Sequence, residues 1–190
     1  VGNITPQLRL LPGLTYKLNL SLDYSVQHNY AFQPVFFLST SQEASNDIAR
    51  LNEGYTRFVG VLVENTLNYA KSFGGHNFDL LAGYTSQQGE ARSVSGTGTN
   101  FSTNEQRVLS AAIDNTDVSG QLQKNALLSV LGRINYNFKG KYLLSATIRR
   151  DGSSRFAEEN RWGTFPSVSA GWRISDEAFF PNSFITNLKI

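Results

Sequence analysis

Few side chains in this sequence are equipped for bond-making chemistry. The two histidines, His28 and His76, stand far apart, each near the end of an apolar stretch. Packing at an interface or a turn accounts for them better than a shared metal. There is no cysteine, which excludes a disulfide framework and a thiolate metal site. Glu158 and Glu159 are adjacent, so their side chains diverge and do not flank a substrate as an acid–base pair. Asp151 opens an Asp-Gly pair, and turn formation is its expected role rather than catalysis. The run Gly-Thr-Gly-Thr-Asn at 96–100 lacks the following lysine and the helix pattern of a phosphate loop. Asn-x-Ser/Thr triplets at Asn3, Asn19 and Asn100 carry no weight, because Asn19 lies inside a strand pattern. The weak candidates for holding a ligand are Arg155, Asn160, Arg161 and Trp162, together with Phe156. An indole and planar hydrogen-bonding groups can stack on and grip a sugar ring or a peptide, or they can pack their own loop. Neither an enzyme nor a cofactor is indicated.

The elements that position these residues are strands. In 142–149, Tyr142, Leu144, Ala146 and Ile148 alternate with Leu143, Ser145, Thr147 and Arg149. In 166–174, Pro166, Val168, Ala170, Trp172 and Ile174 alternate with Ser167, Ser169, Gly171 and Arg173. Successive side chains of a strand point to opposite faces, so each stretch has one greasy and one wet face. Between them lies a polar loop, 151–164, too long for a tight hairpin. Residues 14–26 alternate without interruption. There a helix would set Leu20 opposite Leu18 and Leu22, so period two wins. Residues 58–70 form a less clean strand, with Asn65 interrupting its apolar face; 77–88 and 126–138 follow. Residues 1–11 are ambiguous and run toward the turn pair Pro12-Gly13. The stretches 27–57 and 89–125 read as long polar connections, the first containing a possible short strand at 34–40. After Trp172, Ser175 is the expected N-cap of one helical turn, Pro181 its stop, and a last strand begins near Leu188.

The connections alternate in length. Long ones follow Val26, Gln88 and Arg150, and short ones follow Ala70, Phe138 and Ser175. Outer-membrane barrels show this asymmetry, with short periplasmic turns and long external loops. Tyr16, Tyr69, Phe73, Phe138, Tyr142 and Trp172 fall on the short-turn side as a membrane-interface girdle; Tyr24, Tyr84 and Phe165 mark the other rim. Lys17, Asp23, Glu64, Arg133, Arg149 and Arg173 fall on the wet faces and are expected to point into the lumen, where charge is tolerated. Arginine at Val130 or Leu20 should accordingly cost far more than at the neighbours Ser129 and Asn19. Soluble sandwiches also alternate, but there long loops do not recur on one side only. No apolar run approaches the ~20 residues of a membrane helix. Charged residues are 17% and aromatics 12%, and a net charge of +2 is too small to argue for nucleic acid. The start at Val1 without Met and the stop at Ile190 inside an apparent strand read as an internal piece of a longer chain.

A family resemblance rests on these residues. Arg149–Phe156 reads RRDGSSRF, Asn160–Gly163 reads NRWG, and Phe165–Arg173 reads FPSVSAGWR. With ENTLNY at 64–69, FGGH at 73–76 and GRINYNFKGK at 132–141, this resembles the SusC/RagA family of TonB-dependent outer-membrane transporters. The resemblance implies that 1–190 is part of the antiparallel transmembrane β-barrel domain, in a barrel of about 22 strands with a plugged lumen, the plug lying outside these residues. It further implies active import of oligosaccharides or peptides across the bacterial outer membrane. The implied partners are TonB, reached through the plug, a SusD-like surface lipoprotein, and outer-membrane lipid. A passive porin or adhesin barrel is the alternative, and a soluble carbohydrate-binding β-sandwich a third.

Overall fold

The computed structural model describes residues 1–38, 45–114, 117–180 and 187–190. Its strands are β1 (Gly2–Ile4), β2 (Gln7–Leu11), β3 (Leu14–Gln33), β4 (Phe36–Phe37), β5 (Ser45–Asn46), β6 (Arg50–Phe73), β7 (His76–Phe101), β8 (Ala112–Asp114), β9 (Val118–Phe138), β10 (Tyr142–Ser153) and β11 (Trp162–Trp172). One sheet runs β1-β3-β6-β7-β9-β10-β11, with β2 also paired to β3 and β8 to β7; β4 and β5 pair separately. The resolved registers at both ends of that path are antiparallel.

The short turns follow from local chemistry. Between β9 and β10, Lys139 (φ 52°) and Gly140 (φ 73°) both adopt positive φ, and the Lys141 N–H donates to the Phe138 carbonyl at 3.0 Å. Both central residues of this tight turn are left-handed, with glycine at the second, and Lys141 stays outside the ladder, in which Phe138 pairs with Tyr142. Gly74-Gly75 joins β6 to β7.

The strands run further than the alternation does. β3 continues to Gln33, β6 begins at Arg50, β7 runs to Phe101 through the Gly-Thr-Gly-Thr-Asn stretch, and β9 begins at Val118. The expected long connections therefore shrink. Alternation disappears where both faces meet similar surroundings, whereas the backbone ladder holds whatever the side chains are. The possible strand at 34–40 is reduced to Phe36–Phe37; Ser39 and Thr40 lie outside the described residues. Asp151 sits within β10, opposite Gly163, so it does not open a turn. The helical turn after β11 spans Ile174–Asp176 with Arg173 at its N-cap, so Ser175 lies inside it and makes no cap hydrogen bond. Pro181 lies outside the described residues. Where a last strand was expected near Leu188, the chain makes an isolated antiparallel bridge, Arg173 with Lys189, and Trp172 and Ile190 exchange backbone hydrogen bonds of 2.9 and 3.0 Å.

Two units emerge, 1–22 with 61–88 and 125–190, and 23–60 with 89–124. Among the described residues the second alone holds a buried apolar core. Ala49, Leu51 and Phe101 are packed by Phe32, Val35, Leu109, Ala111 and Ala112. The Asn104 side-chain amide completes it by pairing with the Val35 N–H and carbonyl at 3.0 and 2.9 Å, as a neighbouring strand would.

Candidate functional site

The first unit is a sheet with its apolar side uncovered. Leu20, Val61, Leu67, Leu80, Val130, Ile134, Leu144, Ile148 and Val168 are exposed, whereas the polar Ser129 beside Val130 is buried. Val130 is 50% exposed and Ser129 4%. A soluble sheet buries its greasy face; here the polar face is the better covered one. An apolar surface of this extent signals contact with lipid or protein.

Polar groups on the opposite face are linked across strands. Asp79 accepts hydrogen bonds from Asn68 (3.0 Å) and Asn135 (3.3 Å), and the Ser145 hydroxyl donates to Asn135 at 2.7 Å. This chain joins β6, β7, β9 and β10. Glu64 accepts from Asn19 at 3.4 Å, and Arg133 donates to Thr147 at 3.2 Å. Arg149 grips Asp151 at 2.7 and 2.9 Å and donates to Ser129 at 3.2 Å. Arg173 meets Asp176 at 3.3 Å, while its Nε is buried without a hydrogen-bond partner. Lys17 is exposed and its carbonyl accepts from Thr66 at 3.4 Å. In the second unit Asp23 is half-buried beside Gly60. The Ser129 result corrects one expectation. Arginine at this buried hydroxyl has no room and displaces Arg149, so Asn19 remains the fair control on the polar face.

Asn65, which interrupts the apolar alternation, accepts a 2.6 Å hydrogen bond from the Tyr16 hydroxyl. Each group satisfies the other on the greasy face, where a lone polar group is costly.

The short-turn end carries a continuous run of rings. Phe73 stacks on His76 (5.6 Å) and Phe78 (5.7 Å), His76 lies 4.5 Å from Phe138, and Phe138 lies 6.2 Å from Tyr142. His76 Nδ1 shares a 2.8 Å hydrogen bond with the Tyr136 hydroxyl. Tyr142 is register partner to Trp172. Tyr69 lies against Gly13 at the neighbouring turn. The other histidine, His28, is stacked on Tyr55 at 4.2 Å and bonded to Glu53 at 3.0 Å.

Glu177 closes this end, and no sequence signal marked it. Its carboxylate accepts the Tyr142 hydroxyl (2.6 Å), the Trp172 indole N–H (3.1 Å) and the Lys141 ammonium (3.1 Å). These three donors, Tyr142 foremost, lower its pKa from 4.5 to about 2. A folded-state pKa below the unfolded one contributes stability that is complete above the unfolded value and is lost as pH falls through the folded one. Anchoring of this turn is therefore expected to be intact at pH 5 and to weaken between pH 4.5 and about 2. Amide hydrogen exchange at 139–142, corrected for its intrinsic pH dependence, reads this loosening across a pH series, and Glu177→Gln should remove the remaining pH dependence.

The 151–164 segment is more ordered than a loop. Gly152 pairs with Trp162. A Cβ at Gly152 would stand 2.8 Å from the indole, so only glycine lets the ring lie flat there. The Arg150 guanidinium covers the same indole at 5.2 Å. Trp162 thus shares a strand face with Ile148 and Val168, while Arg155, Asn160 and Arg161 are exposed around the 3-10 turn Glu158–Asn160. Phe165 pairs with Arg149, on the polar face, so it does not belong to the outer rim of aromatics; Tyr24 and Tyr84 are exposed on the apolar one.

Among the described residues no group of three or more His, Asp or Glu side chains could hold a metal ion, and no helix is long and apolar enough to cross a membrane. That says nothing of a crossing made by strands.

No protein-family model matches the chain. It is 34% identical over 187 residues to the TonB-dependent receptor P39 of Formosa agariphila, covering 96% of this chain and 18% of that protein. It is 35% identical over 174 residues to the TonB-dependent receptor SusC of Bacteroides thetaiotaomicron, covering 90% and 17%. The RagAB peptide transporter superposes with a TM-score of 0.88 at 22% identity, over 98% of this chain and 21% of that one. The chain spans about a fifth of the length of the proteins it matches. Their shared strands, the uncovered apolar face and the polar ladder behind it make this chain part of the antiparallel transmembrane β-barrel of the SusC/RagA family of TonB-dependent receptors.

Proposed function

We propose that the full-length protein carrying these strands is a TonB-dependent importer in the bacterial outer membrane, taking up large nutrients such as oligosaccharides or peptides. One observation carries the reading: 96% of the chain aligns at 34% identity with a TonB-dependent receptor. The exposed apolar face and the covered polar one agree with it. In this reading 1–190 is barrel, a plug elsewhere in the protein meets TonB, and a SusD-like lipoprotein lids the external side. Lys17, Asp23, Glu64, Arg133, Arg149 and Arg173 line the lumen. The cross-strand pairings of Glu64, Arg133 and Arg149 favour a structural role for these three over a path for cargo.

Uptake of labelled glycans and peptides by cells with and without TonB tests this. Import that stops when TonB is removed is the expected result. Uptake that continues identifies a passive porin, surface retention without entry an adhesin, and a detergent-free monomer a soluble sandwich.

The segment around Trp162 is assigned to holding the barrel rim or docking the lid, because its indole is already committed to Gly152 and Arg150. Trp162→Ala with Arg161→Ala is expected to lower barrel stability by roughly 1–3 kcal/mol, or to weaken lid binding, with the order of preferred substrates unchanged. Melting, lid pull-down and uptake of several cargoes decide it. Loss of one cargo with normal melting and normal lid binding would show that the segment reads substrate.

A further inference from the structure

Two cations at the short-turn end are matched by acids: Lys141 meets Glu177 at 3.1 Å and Arg173 meets Asp176 at 3.3 Å. Lys71 and Lys139 form no ion pair among the described residues. Each rests instead over a girdle ring, Lys71 6.0 Å from the Phe73 centroid and Lys139 5.2 Å from that of Phe138. Both rings border His76, at 5.6 and 4.5 Å. The two turns are fastened together, because the Lys139 N–H donates to the Gly75 carbonyl at 2.7 Å. The Lys139 stem also lies against Gly75, 3.0 Å from where a Cβ would stand. Two unmatched ammonium groups therefore edge a single aromatic surface on the side of the sheet that carries the exposed apolar residues.

We propose that this surface is a headgroup site for an anionic glycerophospholipid of the leaflet beside the short turns, with Lys71 and Lys139 taking the phosphate. The proposal rests on the membrane-barrel reading. At such a boundary a lysine lays its methylenes along the rings and holds its charge at headgroup level. There it offers three N–H donors to phosphate oxygens. A zwitterionic headgroup brings its own ammonium, which competes for the same phosphate; phosphatidylglycerol brings none. Attraction of one lysine to an anionic lipid surface amounts to about fivefold in affinity, and salt screens it.

The test uses the full-length receptor, folded into phosphatidylethanolamine vesicles and then equilibrated with added phosphatidylglycerol. Lipid retained after mild detergent release is counted by native mass spectrometry. Wild type is expected to keep phosphatidylglycerol in preference to phosphatidylethanolamine. Lys71→Gln and Lys139→Gln should each lower that preference several-fold, and the double variant should lose at least one bound lipid while still migrating as a heat-modifiable barrel. Equal retention by wild type and double variant overturns the site and leaves the barrel reading standing. So does loss of a co-purifying polypeptide in place of lipid, which marks a protein-docking surface. Failure of the wild type to enter phosphatidylethanolamine vesicles overturns the barrel reading and the site with it.

Discussion

Arginine at Val130 or at Leu20 is expected to destabilise the folded barrel by about 2–4 kcal/mol. Both side chains lie on the uncovered apolar face, 50% and 41% exposed, with no neighbouring acid among the ion pairs of the described residues. In lipid the new guanidinium must be desolvated or must bend toward the headgroups. Asn19→Arg is the matched control, one residue from Leu20 and on the opposite face, where Asn19 already contacts Glu64. An arginine there gains a carboxylate, so its expected cost is under about 1 kcal/mol. Urea titration of the full-length receptor in lipid, read by heat-modifiable migration, measures all three. Equal losses at Leu20 and Asn19 would reject the assignment of the faces.

The second large effect is expected at Gly13, which turns the chain from β2 into β3. Its φ is +84°, and its carbonyl accepts the Ala70 N–H at 2.8 Å. A Cβ there collides with the Ala70 carbonyl oxygen. Gly13→Ala therefore combines a left-handed backbone, about 1–2 kcal/mol for a residue with a side chain, with overpacking against backbone, about 1–3 kcal/mol. The backbone on both sides is held in hydrogen bonds and has little room to yield. A loss of roughly 2–5 kcal/mol is the expected sum. Gly2→Ala, where nothing lies within 4 Å and φ is not positive, should be silent or slightly stabilising. A neutral Gly13→Ala would mean that this turn and the end of β6 are not fastened as described.

Sequence by itself determined which segments cross and which way their faces point. Alternation exists in 14–26, 126–138 and 142–149 because two different media lie on the two sides of one strand, and period two records that difference directly. The short connection after Phe138 was legible as well, and the structure fills it with a tight turn at Lys139 and Gly140, both at positive φ. The tertiary structure alone decided where strands end. Beyond the alternating segments, β7 continues through Gly96 and Gly98 on backbone pairing, which leaves no side-chain period to detect. It alone decided partners as well. Register sets Phe165 beside Arg149, joins Asp79 to Asn68 and Asn135, and lays Trp162 on Gly152. Glu177 reaches Tyr142 and Trp172 only because the chain folds back after β11. Such meetings depend on distances across strands, and those are set by the pairing of whole strands rather than by any local run of residues.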